Sequence, residues 1–313
     1  MPTRRLLCVV LLMALLAPPS GADGPVELRV RREARYRWKV EQQLDLASKS
    51  KGTATFAGGA GTSQMLVKGH VTVKEKWTDE FRMDEDGVLV EVKRTVGSSK
   101  IRAQKGASQA TALHRAVLTL ELDGSGLDVR ATKGAPPPLC LDLLKAGPID
   151  PVEILLPEDP VRVGDTWEIG TLEVMRFLRQ ICVGVAAAKG SARNDIRMLL
   201  ESLGGDSPAA AAKIVRGKLV SVRGSVITIE FEDDKTHDEA TDRPRSGPLF
   251  DMPASTTRIT GTLRFDVQRG RPLKLTWSQV HDVGDFTPGH GLPRGHVTTP
   301  GFTETWSLEK TWK

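Results

Sequence analysis

Two stretches of this chain gather residue types that could hold a metal ion. "HDVGDFTPGHGLPRGH", residues 281–296, carries His281, Asp282, Asp285, His290 and His296. Imidazole nitrogens and carboxylate oxygens are donors that zinc accepts. Their spacings match no ligand motif, and a Gly/Pro-rich stretch offers no rigid helix face. "FEDDKTHDEATD", residues 231–242, carries Glu232, Asp233, Asp234, His237, Asp238, Glu239 and Asp242. Carboxylates of this density can gather calcium, but a run of like charge reads first as a solvated loop. The turn at Gly87 fails as a calcium loop: with glycine at position six, Arg82 and Lys93 occupy positions one and twelve. No metal site and no cofactor are expected.

Nucleophilic chemistry fares no better. "GASQA", residues 106–110, faintly echoes a nucleophile elbow at Ser108. That elbow needs a strand before it and a helix after it. Asp165 is a single carboxylate with no partner at acid–base spacing. No phosphate-cradling glycine loop and no dinucleotide fingerprint is present. The sequence therefore nominates no catalytic residue, and the chain reads as a non-enzyme.

Charge excludes another class. Lys plus Arg number 44 and Asp plus Glu 39. Arg4 and Arg5 would leave with an N-terminal leader, bringing the net charge to about +3, too balanced for a nucleic-acid binder. The basic run Arg29 to Lys39 alternates at its end with Tyr36, Trp38 and Val40, as one solvated strand face would.

The elements that must position these side chains are mostly strands. Trp38, Val40, Leu44 and Leu46 are apolar at every second position, apart from residue 42. Val71, Val73 and Trp77 repeat the habit, as do Val88 to Val92, Leu118 to Leu122 and Leu127 to Ala131. Val220 to Phe231, Ile259 to Val267, Leu273 to Trp277 and Phe302 to Trp312 follow suit. One apolar and one polar face per strand describes antiparallel sheet, not a parallel α/β core. Between the halves the period changes. Val174, Met175, Leu178, Ile181, Cys182 and Val185 form a helical stripe over 171–188, and Ile196, Leu199, Leu200 and Leu203 form a second. Segments 48–64, 97–112, 133–138, 233–256 and 284–296 read as loops. The expected fold is α+β: a curved, mainly antiparallel sheet, open like a half-barrel or clam, with a helical insert at about 170–212 on its apolar face. One continuous sheet and two half-sheets both fit.

The N-terminus specifies a compartment. Arg4-Arg5, the apolar run Leu6 to Leu16 and the small residues Ser20-Gly21-Ala22 make a signal peptide over residues 1–22, leaving 23–313 as one β-rich domain. The expected location is exported, periplasmic or extracellular, with no transmembrane segment in the mature chain. Export makes a disulfide between Cys140 and Cys182 chemically available. Two buried thiols are the other reading.

"LPEDPVRVGDTWEI", residues 156–169, holds two prolines, a Val-x-Val pair and Gly-Asp-Thr-Trp. Prolines keep the backbone extended. Val161 and Val163 are expected to point one way off a short strand. Gly164-Asp165 should make a turn, and Trp167 should aim into the core. The stretch resembles the Leu-Pro-x-x-Pro-Val-x-Val-Gly-Asp-x-Trp segment of uncharacterised exported bacterial proteins of planctomycete type. Those share a late strand–turn–strand like "GTLRFDVQRGRPLKL" here, residues 261–275. They are in turn similar to the half-barrels of periplasmic lipoprotein carriers. The resemblance implies an open half-barrel plugged by helices and an exported compartment; it transfers no catalytic residue.

Two functions follow. One is an exported, non-catalytic protein that binds a hydrophobic ligand, an acyl chain or lipid-like molecule, or an apolar partner segment. Trp38, Trp77, Trp277, Trp306 and Leu178 would line its cleft. The alternative is a structural or interaction protein of the cell envelope, with an envelope protein as partner and no ligand cavity. The space between helix 171–188 and the sheet separates them.

Overall fold

Side chains alternate across a pleated strand, so a long run with one apolar phase must lay that phase on something. The computed structural model describes residues 24–34, 36–55, 62–103, 106–123, 126–189, 214–233, 245–246, 250–252, 255–283, 287–288 and 302–313. The expected leader, the second stripe expected at 196–203, most of the acidic stretch 231–242, and Asp285, His290 and His296 lie outside these residues. The strands are β1 (Arg37–Thr55), β2 (Thr62–Met83), β3 (Leu89–Ala103), β4 (Gln109–Ala110), β5 (Val117–Asp123), β6 (Gly126–Lys133), β7 (Thr166–Ile169), β8 (Val215–Arg223) and β9 (Val226–Asp233). They continue with β10 (Arg245–Ser246), β11 (Phe250–Met252), β12 (Ser255–Asp266), β13 (Arg271–Val283), β14 (Thr287–Pro288) and β15 (Phe302–Trp312). The loop expected over 48–64 is instead largely strand, because β1 and β2 stay paired out to Thr55 and Thr62.

Twelve strands form one antiparallel sheet in the order β6-β5-β3-β2-β1-β15-β13-β12-β9-β8-β7, with β4 beside β3. Among the described residues, β10, β11 and β14 form a small sheet of their own. The two halves of the chain join where β1 meets β15, with Leu44 opposite Leu308 and Val40 opposite Trp312. The large sheet is therefore continuous, and it is open, with β6 and β7 at its edges.

An open sheet with an apolar face needs a second layer. Here it comes from the chain between β6 and β8. After β6 come α1 (Pro138–Lys145), a 3-10 turn (Pro151–Leu155), then β7, α2 (Thr171–Ile181) and α3 (Val183–Ala186). Cys140, Leu143 and Leu144 face inward from α1, and Val174, Phe177, Leu178 and Ile181 from α2. This is the α+β architecture that the alternation predicts. The helix expected over 171–188 is broken at Cys182, whose backbone leaves the helical region at φ −89° and ψ 6°. The amide of Gln42 on β1 donates to the Ile181 carbonyl at 3.1 Å, supplying the helix end with a partner from the sheet.

The 156–169 stretch is structural. Val161 pairs with Val26 of the N-terminal segment through two backbone bonds of 2.7 and 3.0 Å. Gly164 takes a φ of +95°, open to glycine, and the Asp165 carboxylate accepts from the Arg162 amide at 2.8 Å. The turn docks on β8 through Gly164 N to Leu219 O at 2.8 Å and Leu219 N to Asp165 O at 3.1 Å. Trp167 packs against the core, half-buried, and its indole N–H donates to Leu155 O at 3.1 Å. Val163 departs from expectation: the turn swings it outward to 55% exposure, while Val161 stays buried.

Trp167 lies directly across the sheet from Gly217, with no room for a β-carbon there. Gly217→Ala should cost roughly 1–3 kcal/mol through overpacking. Urea denaturation measures it, and an unchanged midpoint would contradict this account of the edge.

Candidate functional site

The site begins as interruptions in a pattern. Gln42, Glu75 and Lys310 stand on the apolar phases of β1, β2 and β15. Register brings them together: Gln42 lies opposite both Glu75 and Lys310, Glu75 lies opposite Ser99, and Asp79 lies opposite Arg94. All six are buried, Lys310 to 2% exposure. A charge in that position demands a partner.

The connecting segment supplies one. Asp150, just ahead of the 3-10 turn, accepts from Lys310 Nζ at 2.9 Å and from the Trp312 indole N–H at 2.6 Å. It also caps its own turn, accepting from Val152 N at 3.1 Å, while Glu153 accepts from the Asp150 amide at 3.1 Å. Arg32 from the N-terminal segment pairs with Glu153. On the other side of the cluster, Arg94 grips Asp79 with two bonds of 2.8 Å and donates to Ile149 O at 3.2 Å. The Trp77 ring lies beneath both cations, 5.1 Å from the Arg94 guanidinium and 5.3 Å from the Lys310 ammonium. Its indole N–H reaches Asp79 at 3.2 Å.

Burial alone would push Asp150 up; the Lys310 charge and the bonds from Lys310, Val152 and Trp312 outweigh it and hold the carboxyl below its ordinary range. Glu75 goes the other way. Burial raises it to about 7, against the opposing pull of the Ser99 hydroxyl, Arg94 and Lys310. Burial, then the Glu75 charge, also pushes the Cys182 thiol up.

Between the cluster and the helices lies a cavity of about 40 Å³. Glu75, Trp77, Arg94, Gln180 and Lys310 line it together with apolar side chains such as Leu144 and Val183. Gln180 donates to Pro148 O at 2.8 Å, but its Oε1 has no partner among the described residues. A water needs roughly 10–15 Å³ and polar contacts, so this space suits a few waters and no acyl chain.

The five residues expected to line a cleft take separate places among the described residues. Trp38 packs edge-to-face on Phe81, centroids 5.1 Å apart, with Arg32 over its ring. Trp277 packs on Phe177 at 4.9 Å and Phe231 at 5.9 Å. Leu178 is 4% exposed inside the helical layer. Trp306, half-buried, lies opposite Leu46 and Gln279. Trp77 alone among the five lines the small cavity.

No disulfide joins Cys140 and Cys182. Each keeps its thiol, and that of Cys140 donates to Val183 O at 3.6 Å. The expected bond gives way to two thiols buried in the helical layer. His281 pairs with Thr257 at 2.9 Å on the covered face. No group of three or more potential metal ligands occurs among the described residues. Ser108 precedes β4, a two-residue strand antiparallel to β3, so no strand–helix elbow forms there. No helix among the described residues is long and apolar enough to cross a membrane.

On the opposite face a solvent-open depression of about 650 Å³ spans β1, β15, β13, β12, β9 and β8. Short hydroxyl side chains floor it (Thr260, Thr262, Thr276, Ser278 and Ser307), and Asp45, Glu230, Glu232 and Glu309 rim it. Phe231, Trp277 and Leu308 line it as well, so Trp277, one of the five residues expected in a cleft, borders this depression.

No family model matches the chain, and no curated protein matches it. The resemblance carried by 156–169 thus finds no family behind it. Among solved structures, lipovitellin, in a structure of its lipid–protein interactions, aligns with 90% of this chain at a TM-score of 0.41 and 6% identity. The chain spans about a quarter of that protein, 25% of its length. Pseudomonas aeruginosa OccK1 (OpdK) aligns over 88% of this chain and 98% of its own at a TM-score of 0.12 and 5% identity. OccK8 (OprE) of the same organism aligns over 88% and 68% at 0.11 and 7%. At such scores the description of the fold rests on this chain's own strand order.

Removing one member of a buried pair leaves the other charge uncompensated. Lys310→Met should destabilise by roughly 3–5 kcal/mol. The double variant Asp150→Asn/Lys310→Met should recover much of that, since Asn keeps the cap oxygen. Urea denaturation of the three proteins tests this. A single variant as stable as the wild type would remove Lys310 from the cluster's centre.

Proposed function

We propose that this chain is an exported, non-catalytic protein that takes an apolar ligand, or an apolar segment of a partner, on the sheet face now covered by its helical layer. The layer acts as a lid. The observation that carries this reading is the placing of buried charges at the lid–sheet contact. Glu75, Asp79, Arg94 and Lys310 come from the sheet, and Asp150 from the chain that crosses it.

Apolar residues of similar volume at such a contact are often as stabilising or more so. Charges there define a single closed register, and they regain water when the contact parts. Parting exposes Trp277, Leu308, Leu44 and Val73, an apolar strip across four strands. With only about 40 Å³ beneath the lid, a ligand would replace lid side chains rather than fill a void. Each buried CH₂ would contribute about 0.8 kcal/mol.

That same small cavity favours the second reading, an envelope interaction protein whose lid never leaves. Titration with fatty acids or lysolipids, followed by tryptophan fluorescence, separates the two. Saturable quenching that Leu178→Glu abolishes, with circular dichroism unchanged, supports the lidded binder. No spectral change with any lipid, and no co-purifying lipid in native mass spectrometry, leaves the interaction protein. Export is tested on its own: N-terminal sequencing of secreted protein should begin at Asp23, and an intact Met1 in membrane-bound protein would contradict it.

A further inference from the structure

Five ionisable side chains meet under the helical layer, and their charges do not balance. Asp79 takes Arg94 through two bonds of 2.8 Å, and Asp150 takes Lys310 at 2.9 Å. Glu75 is the third acid facing two bases. Among the described residues its carboxyl meets only neutral donors directly: the Ser99 hydroxyl at 3.1 Å and, at a long 3.4 Å, the Gln42 amide.

The carboxyl also presses on the lid. A β-carbon added at Gly184 in α3 would stand 2.6 Å from it. From the strands, Arg94 of β3, Lys310 of β15 and its own neighbour Asp79 face the cluster. The crossing segment contributes Asp150, and the turn between α2 and α3 contributes Cys182. His114 reaches Ser99 from beyond β4, accepting from its amide at 3.4 Å. Both Glu75 and Gln180 line the 40 Å³ cavity, and Gln180 brings an unpartnered, buried Oε1. The cluster is neutral with Glu75 protonated and negative with it ionised, and the cavity is where water could meet the new charge.

We propose that Glu75 is a proton-controlled latch: protonated, it holds α3 against the sheet; ionised, it draws water into the cavity and loosens the helical layer. This rests on the lid reading only for its purpose, since loosening can be measured with no ligand present. The direction follows from linkage. Burial raises Glu75 from 4.5 to about 7, so its contribution is fully present below about pH 4.5 and is lost as pH rises through about 7. The lid is tight in mild acid and looser in mild alkali.

Cys140 is the reporter, because its thiol is buried and donates to Val183 O of α3. Native protein is labelled with an uncharged maleimide between about pH 6 and 8, on either side of the Glu75 midpoint, and modification of Cys140 is read by peptide mass spectrometry. The wild type is compared with Glu75→Gln at each pH, which cancels the ordinary pH dependence of thiolate chemistry. The ratio of wild-type to variant rate should rise about tenfold across that range, the factor by which ionisation of a group at about 7 favours the open form. A flat ratio overturns the latch. Should Glu75→Gln fail to fold, Glu75→Met, neutral and of similar length, takes its place under the same criterion. A rising ratio in a protein that binds no lipid would keep the latch and discard the ligand; a flat ratio in a lipid binder would do the reverse.

Discussion

The buried bond of 2.9 Å between Asp150 and Lys310 ties the sheet to the chain that crosses it. The sheet is open, its edges are β6 and β7, and the chain between those edges must travel across it. Asp150 sits midway along that crossing, and Lys310 sits on β15 at the centre of the sheet. β15 is also the strand that joins the C-terminal half to β1. One ion pair therefore pins the crossing segment, the last strand and the junction of the halves to a common point. The pairing of β1 with β15 spans almost the whole chain, so the contacts that complete the sheet are among the most non-local it has.

Around that point the interior separates by chemistry. Rows such as Leu44, Val73, Ile101 and Leu308 are apolar, and the row through Gln42, Glu75, Ser99 and Lys310 is polar. Low local dielectric makes each satisfied bond in that row stronger and each unsatisfied group costlier. Glu75 is its less satisfied member, and with Gln180 of α2, whose Oε1 lacks a partner among the described residues, it lines the small cavity. The proposed proton sensitivity and the small cavity thus belong to one place, where α3 meets β2. The lid reading and the latch draw on the same feature, but one concerns what replaces the lid and the other what loosens it.

Much of the sheet was legible in the sequence. Alternation from Trp38 to Leu46, from Leu118 to Leu122 and from Ile259 to Val267 marked antiparallel strands with one covered face. The stripe from Val174 to Val185 marked the helices that cover it. The helix α1 escaped notice because it spans about two turns behind Pro136 and Pro137, and Cys140, Leu143 and Leu144 make too short a stripe to stand out. The site was legible only as gaps. Residues 42, 75 and 310 break the apolar alternation of their strands, yet in a single strand a gap looks like noise. Register between strands distant in sequence turns three gaps into one row, and Asp150 joins it from a segment with no periodicity. Alternation places Trp38, Trp277 and Trp312 on the covered face, where they are buried, but composition alone does not reveal whether a covered face is packed or hollow.

In the proposed function the helical layer parts from the sheet as a unit while the sheet persists. Native-state hydrogen exchange in low urea tests it most directly, since cooperative units of different stability exchange through separate openings. The account predicts that amides of α2, α3 and the Asp150 turn exchange together, at an opening free energy below that of β1 and β15. If all these amides exchange only through global unfolding, at one free energy, the layer is an inseparable part of the core and the account fails.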